Sequence, residues 1–370
     1  MMYDGRADHL RHAAGEAGLD AIAVVPGPNL FYLTGLSFHL SERPVVAFLP
    51  VDGQPAMIVP RLELTKAGAA SGEWSVHSYD DREGPERAFR AALAELDLAG
   101  AWLGVEGRRI RFLELDLMAR TEMGPRVFDA AEVFSELRMR KDPGELGHMR
   151  EAVAVAETAI AAALPRLRAG LTEKEFASEL TAQLLLSGSE PGLPFTPIVA
   201  SGTNGANPHG FPTDKEIAPG DVVTVDWGAS HGHYFSDMTR NYVVAGARPH
   251  PDLVRAHEVV RLANKAGRAA ARPGASGQDV DRAARAVIED AGLGQYFVHR
   301  TGHGLGLEGH EEPNMNEGER TPLAPGMTFT VEPGVYVPGI GGVRIEDDLV
   351  VTADGAESLT TLPRDLKTVE

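Results

Sequence analysis

The run Val298-His299-Arg300-Thr301-Gly302-His303-Gly304-Leu305-Gly306-Leu307-Glu308-Gly309-His310-Glu311-Glu312-Pro313 places three histidines in a short span and frames the central one with glycine. Glycine permits a positive φ and lets neighbouring groups approach where a Cβ would intervene. The pattern therefore predicts a loop that presents an imidazole to a crowded centre. A Gly-rich surface loop with incidental histidines has the same composition, so the acidic residues on either side must decide between the two.

Those residues sit where carboxylates are uncommon. Asp221–Trp227 and Tyr234–Val244 read as the arms of a hairpin, with Asp226 on one arm and Asp237 in the other. Met327–Val331 runs directly into Glu332, and Gly342–Val351 carries Arg344 and Glu346 two residues apart, hence on one face of a strand. An unpaired buried carboxylate costs several kcal/mol. Several of them on apolar strands, with an imidazole, form a hard, oxygen-rich set suited to two divalent cations of the manganese or cobalt type. A buried carboxylate network neutralised by Arg344 is the competing reading of the same residues.

In order and spacing, Asp226, Asp237, Gly302-His303-Gly304, Glu332-Pro333-Gly334 and Arg344-Ile345-Glu346 resemble the metallopeptidase family that contains aminopeptidase P, prolidase and methionine aminopeptidase. The resemblance spans about 145–365. It implies a pita-bread catalytic domain, a pseudo-twofold α/β fold built from two ααβ units, over residues 139–370. Two divalent metal ions per chain are implied, manganese first, with cobalt or zinc as alternatives. Asp226 would hold one metal, His303 and Glu332 the other, and Asp237 and Glu346 would bridge them. The family mechanism is attack by a metal-bridged hydroxide on the bond before proline. It gives Glu332 proton transfer and His310 the oxyanion, while His209 and His299 line the pocket and Arg344 orients ligating carboxylates.

Residues 1–138 alternate helical and strand patterns and resemble the creatinase-like N-terminal α/β domain of the proline-directed members, a domain that methionine aminopeptidases lack. Strands are predicted at Ala21–Val25, Val45–Leu49, Ala56–Val59, Trp102–Val105 and Arg126–Phe128, and helices at Ala7–Gly18, 84–97 and 111–121. Asn29–Gly35 reads as core. Beyond the boundary, Asp142-Pro143 with Glu145, Thr172 with Glu175, and Ser276 with Asp279 are helix starts. The helix near 251–272 completes two helix pairs, each followed by strands.

The resemblance points to small peptides with proline at the second position. An Xaa-Pro dipeptidase (prolidase) is expected, with aminopeptidase P on longer peptides as the alternative. A metal-free creatinase-like hydrolase or a binding module is more remote, because all five ligand positions are filled. One departure stands out. Archaeal-type prolidases carry an arginine after the His-Glu-x-Pro segment to meet the substrate carboxylate, where this chain has Asn314. His39 or Arg43, reaching in from a partner subunit, would be the substitute; a homodimer is what the resemblance implies. His231, His233, His250 and His257 read as solvated or structural, and Trp227 and Tyr336 as core or pocket wall.

The net charge of −18 argues against nucleic acid or an anionic membrane as a partner. The chain has no cysteine, which excludes thiolate ligands and a cysteine nucleophile. Asp4, Arg6, Asp8, Arg11 and Glu16 interrupt any signal-like apolar run, so a cytoplasmic enzyme is expected.

Overall fold

Short apolar runs bounded by Pro, Gly or Asp become the strands of a mixed sheet in the N-terminal part of the chain. The computed structural model describes residues 5–70, 72–121 and 124–370, which divide into two units, Met1–Arg138 and Met139–Glu370. Among its described residues the first unit has six strands, β1 (Ala21–Val24), β2 (Val46–Pro50), β3 (Ala56–Pro60), β4 (Ser75–Tyr79), β5 (Trp102–Val105) and β6 (Arg126–Asp129), in the order β4-β3-β2-β1-β5-β6. Pairing is antiparallel at β1–β2 and β2–β3 and parallel elsewhere. Ala23, Phe48, Ile58, Phe89 and Leu103 are fully buried in its core. Asn29–Thr34 lies in a short helix, Pro28–Thr34, whose Asn29 donates to the buried Glu106. This helix, β4 and the helix Ala131–Met139 carry too little periodicity to be read in advance.

The second unit opens on a helix pair. Helix α1 (Pro143–Ala163) starts at a complete Asp142/Glu145 capping box with Pro143 in its first turn, and α2 (Glu173–Leu186) at a Thr172/Glu175 box. A second pair, α3 (Pro251–Ala270) and α4 (Gly277–Asp290), follows about a hundred residues later, α4 on a Ser276/Asp279 box. Each pair is followed by antiparallel strands. After the first pair come β7 (Ile198–Ser201), β8 (Val222–Trp227), the two-residue β9 (Ser230–His231) and β10 (Tyr234–Phe235), and β11 (Met238–Val244). After the second come β12 (Gly302–Gly304), β13 (Glu311–Met315), β14 (Thr328–Val331), β15 (Gly334–Val337), β16 (Gly341–Arg344), β17 (Asp347–Val351) and β18 (Ala356–Ser358), and a terminal β19 (Lys367–Val369) returns to the first sheet beside β11. The sheets run β19-β11-β8-β7 and β13-β12-β14-β17-β18. Apolar faces of α3 and α4 close over Val222, Val243, Val335 and Ile345, leaving the strand ends that carry the acidic residues between the sheets.

Two local expectations are corrected. Gly302–Gly304 is not a loop but a strand in the middle of a sheet, and none of Gly302, Gly304, Gly306 or Gly309 has a positive φ. Close approach is what the glycines provide: a Cβ on Gly302 would lie 1.9 Å from the Thr330 carbonyl oxygen, and one on Gly304 2.3 Å from that of Glu312. Gly302→Ala is therefore expected to destabilise by at least about 1–3 kcal/mol, read by thermal melting; an unchanged melt would mean the strands separate freely. Secondly, Arg344 and Glu346 are not on one continuous strand. The chain leaves β16, paired with β15, and enters β17, paired with β14, with Ile345-Glu346 at the switch.

Candidate metal centre

Five of the sequence-selected side chains come from five places in the second unit. Asp226 is on β8, Asp237 just before β11, His303 central in β12, Glu332 just past β14, and Glu346 at the β16–β17 switch. Ligand atoms of Asp237, His303 and Glu346 lie within 4.8 Å of one another, and all three residues are buried. Glu332 approaches the same imidazole, its Oε1 3.4 Å from His303 Nε2. Asp226 is turned toward Arg344, whose Nη2 donates to Oδ2 at 2.5 Å, while its Oδ1 is buried with no partner.

Electrostatics and tautomers show what such a cluster needs. Burial first, then the charges of Glu346 and Asp226, push the Asp237 carboxyl well above the usual range; Glu346 is raised likewise by burial and by Glu332. Burial, partly opposed by Arg344, drives Glu332 up to about 7. Carboxylates this close cannot all ionise without a cation among them. His303 is held well below its ordinary pKa by burial and by neighbouring His310. Its Nδ1 faces the Gly304 carbonyl at 3.1 Å, so Nδ1 carries the proton and the Nε2 lone pair faces the carboxylates. A lone pair aimed at carboxylate oxygens is repulsive by itself and becomes a ligand once a cation lies between them. The orphaned Asp226 Oδ1 points to the same missing charge. This donor set fits divalent metal ions.

Around it lies a layer that sequence reading largely missed. Thr239 Oγ1 accepts from Arg344 Nε at 3.0 Å and donates to Glu346 Oε2 at 2.7 Å. Asp348 accepts the Asp237 N–H through Oδ2 at 3.0 Å. Tyr336, read as core or pocket wall, has its hydroxyl between Arg344 Nη1 (2.7 Å) and His299 Nε2 (2.9 Å). A threonine inside a strand gives no sequence signal, because its role depends on partners about a hundred residues away. Arg344 does neutralise a buried carboxylate, and this network is compatible with a metal site at the same residues.

The remaining candidates divide. His310 packs on His303 with ring centroids 3.9 Å apart. His299 is half-buried beside Tyr336, and desolvation with nearby Arg344 lowers its pKa to about 4. His209 is exposed, but its loop is tied inward because the Pro208 carbonyl accepts from Arg344 Nη1 at 3.1 Å. His39 and Arg43 belong to the first unit; His39 is exposed and Arg43 is forked onto Asp81 at 2.8 Å through both Nε and Nη2. Trp227 is core, bonded to the Ala156 carbonyl. His257 is buried, and His231 faces His148 across 3.2 Å.

The model of metallopeptidase family M24 matches residues 147–353, and that of the creatinase/prolidase N-terminal domain matches residues 6–140. The chain belongs to metallopeptidase family M24. Among M24 relatives, the Xaa-Pro dipeptidase of Lactobacillus delbrueckii subsp. lactis is 33% identical over 97% of this chain and 98% of its own length. A dipeptidase from Pyrococcus horikoshii OT3 superimposes with a TM-score of 0.92 at 37% identity, covering 98% of this chain and 100% of its own. A recombinant prolidase from Thermococcus sibiricus does so with a TM-score of 0.92 at 34% identity, each chain fully covered. The architecture is thus a creatinase-type domain followed by the M24 pita-bread domain. Divalent metal ions belong to this family's chemistry, and the site described above is compatible with them. Among the described residues, no helix is long and apolar enough to cross a membrane.

Proposed function

We propose that this M24 enzyme is an Xaa-Pro dipeptidase, hydrolysing the bond before proline with two divalent cations, manganese first, held by Asp226, Asp237, His303, Glu332 and Glu346. The carrying observation is the buried acidic cluster closed by the Nε2 lone pair of His303. Whole-length similarity to Xaa-Pro dipeptidases and a prolidase supports the substrate. When bound, the cations polarise the substrate carbonyl and make water a competent nucleophile near neutral pH. The protein's own groups do the rest. Glu332 takes the proton from the attacking water and returns it to the proline nitrogen. His310 keeps Nδ1 toward Arg300, which leaves Nε2–H to donate to the developing oxyanion. His209 and His299 line the substrate side, while Arg344 fixes Asp226 and, through Thr239, Glu346. His39 of the partner subunit remains a candidate contact in a homodimer, and the absence of cysteine supports a cytoplasmic setting.

Elemental analysis of protein reconstituted with manganese and desalted is expected to give two cations per chain. A content well under one removes the metal reading. Cleavage of an Xaa-Pro dipeptide in strong preference to an Xaa-Pro-Yaa tripeptide is expected of the same sample; the reverse preference makes the enzyme an aminopeptidase P.

A further inference from the structure

A dipeptidase must recognise a carboxylate one residue beyond the bond it cuts, and the cations around the centre are nearly all committed. Arg344 is bonded to Asp226, Arg240 and Arg364 to Asp347, Arg285 to Asp281, and Lys141 to Glu311. Arg300 is different. It is half-buried, and its guanidinium meets only neutral side chains: Nη1 donates to Asn314 Oδ1, and Nη2 lies 3.3 Å from His310 Nδ1. Among the described residues it pairs with no carboxylate, although the protein carries an excess of acidic groups.

We propose that Arg300 is the receptor for the C-terminal carboxylate of the dipeptide and so the residue that limits substrate length. The inference rests on the Xaa-Pro dipeptidase reading. Position supports it: His310 packs on the ligand His303, so one imidazole separates the centre from Arg300. One residue, at most about 3.6 Å of chain, separates the attacked carbonyl from the substrate carboxylate. Chemistry supports it as well. A guanidinium binds a carboxylate with two parallel N–H donors, and Arg300 is already oriented by Asn314 and His310, which reduces the ordering cost of binding. Asn314 itself carries no charge, yet it holds the arginine that does. A further residue or a simple amide joined to the proline carboxyl would remove the anion from that position and leave the guanidinium unmatched.

The test compares an Xaa-Pro dipeptide with its C-terminal amide, on manganese-loaded wild type, Arg300→Gln and Arg300→Lys. Glutamine keeps an N–H donor for His310 or Asn314 but removes the charge; lysine keeps the charge without the fork. Wild type is expected to favour the free acid. Any loss through His310, which Arg300 orients, falls on acid and amide alike, so the readout is the difference: Arg300→Gln should lower kcat/KM for the acid about 10²-fold more than for the amide, the extra loss chiefly in KM, with Arg300→Lys between. Equal losses on acid and amide, or a wild type indifferent between them, overturn the assignment. A metal-loaded wild type that cleaves neither proline substrate overturns the dipeptidase reading itself, which is a separate result.

Discussion

Glu332→Gln is expected to lower kcat by about 10³-fold or more on any Xaa-Pro substrate, with the fold intact. The residue follows β14 and is pinned by its backbone N–H to the Thr301 carbonyl at 2.7 Å. Its carboxylate lies 3.4 Å from His303 Nε2, nearer than that of Asp237 at 3.8 Å, and its side chain is the more exposed of the two. Glutamine keeps the shape but removes a ligand charge and a group able to carry a proton, and general acid-base catalysis alone is worth about 10²–10⁴. Steady-state kinetics should be run with metal content measured on the same sample. A fully loaded variant turning over near the wild-type rate would remove Glu332 from proton transfer.

Arg344→Met should produce the largest loss of stability at the centre. Four hydrogen bonds radiate from this buried guanidinium, to Asp226, Thr239, Tyr336 and the Pro208 carbonyl. Truncation leaves Asp226 as an uncompensated buried carboxylate, a loss of about 3–5 kcal/mol when one partner of a buried pair is removed. For a domain of this size that corresponds to a fall in Tm of roughly 10 °C, read on chelator-treated protein by calorimetry. Loading with manganese should recover part of the loss, because a cation at Asp226 replaces the missing charge. Adding Asp226→Leu should recover part of it without metal. If the single variant melts like the wild type, the pair is not the keystone of this layer.

What the sequence determined by itself was whatever is written in local pattern or in residue chemistry that has few alternative uses. The three capping boxes opened helices where Asp142, Thr172 and Ser276 said they would, because a cap is satisfied within four residues. Four of the five candidate ligands stood out because carboxylates in or at the ends of apolar strands have little reason to be there otherwise, and His303 stood out by the glycines that frame it. Tertiary structure decided the rest. Whether the glycines around His303 served a turn or a close approach depended on where Thr330 and Glu312 lie. Thr239 and Tyr336 gained their roles only when β11, β15 and β16 met. The availability of a cation was also a tertiary matter: Arg43 and Arg300 look alike in sequence, but Asp81 occupies the first, while only neutral side chains hold the second. Such distinctions lie in pairings between residues far apart in the chain, and a linear pattern does not encode which partners are left over once the chain has folded.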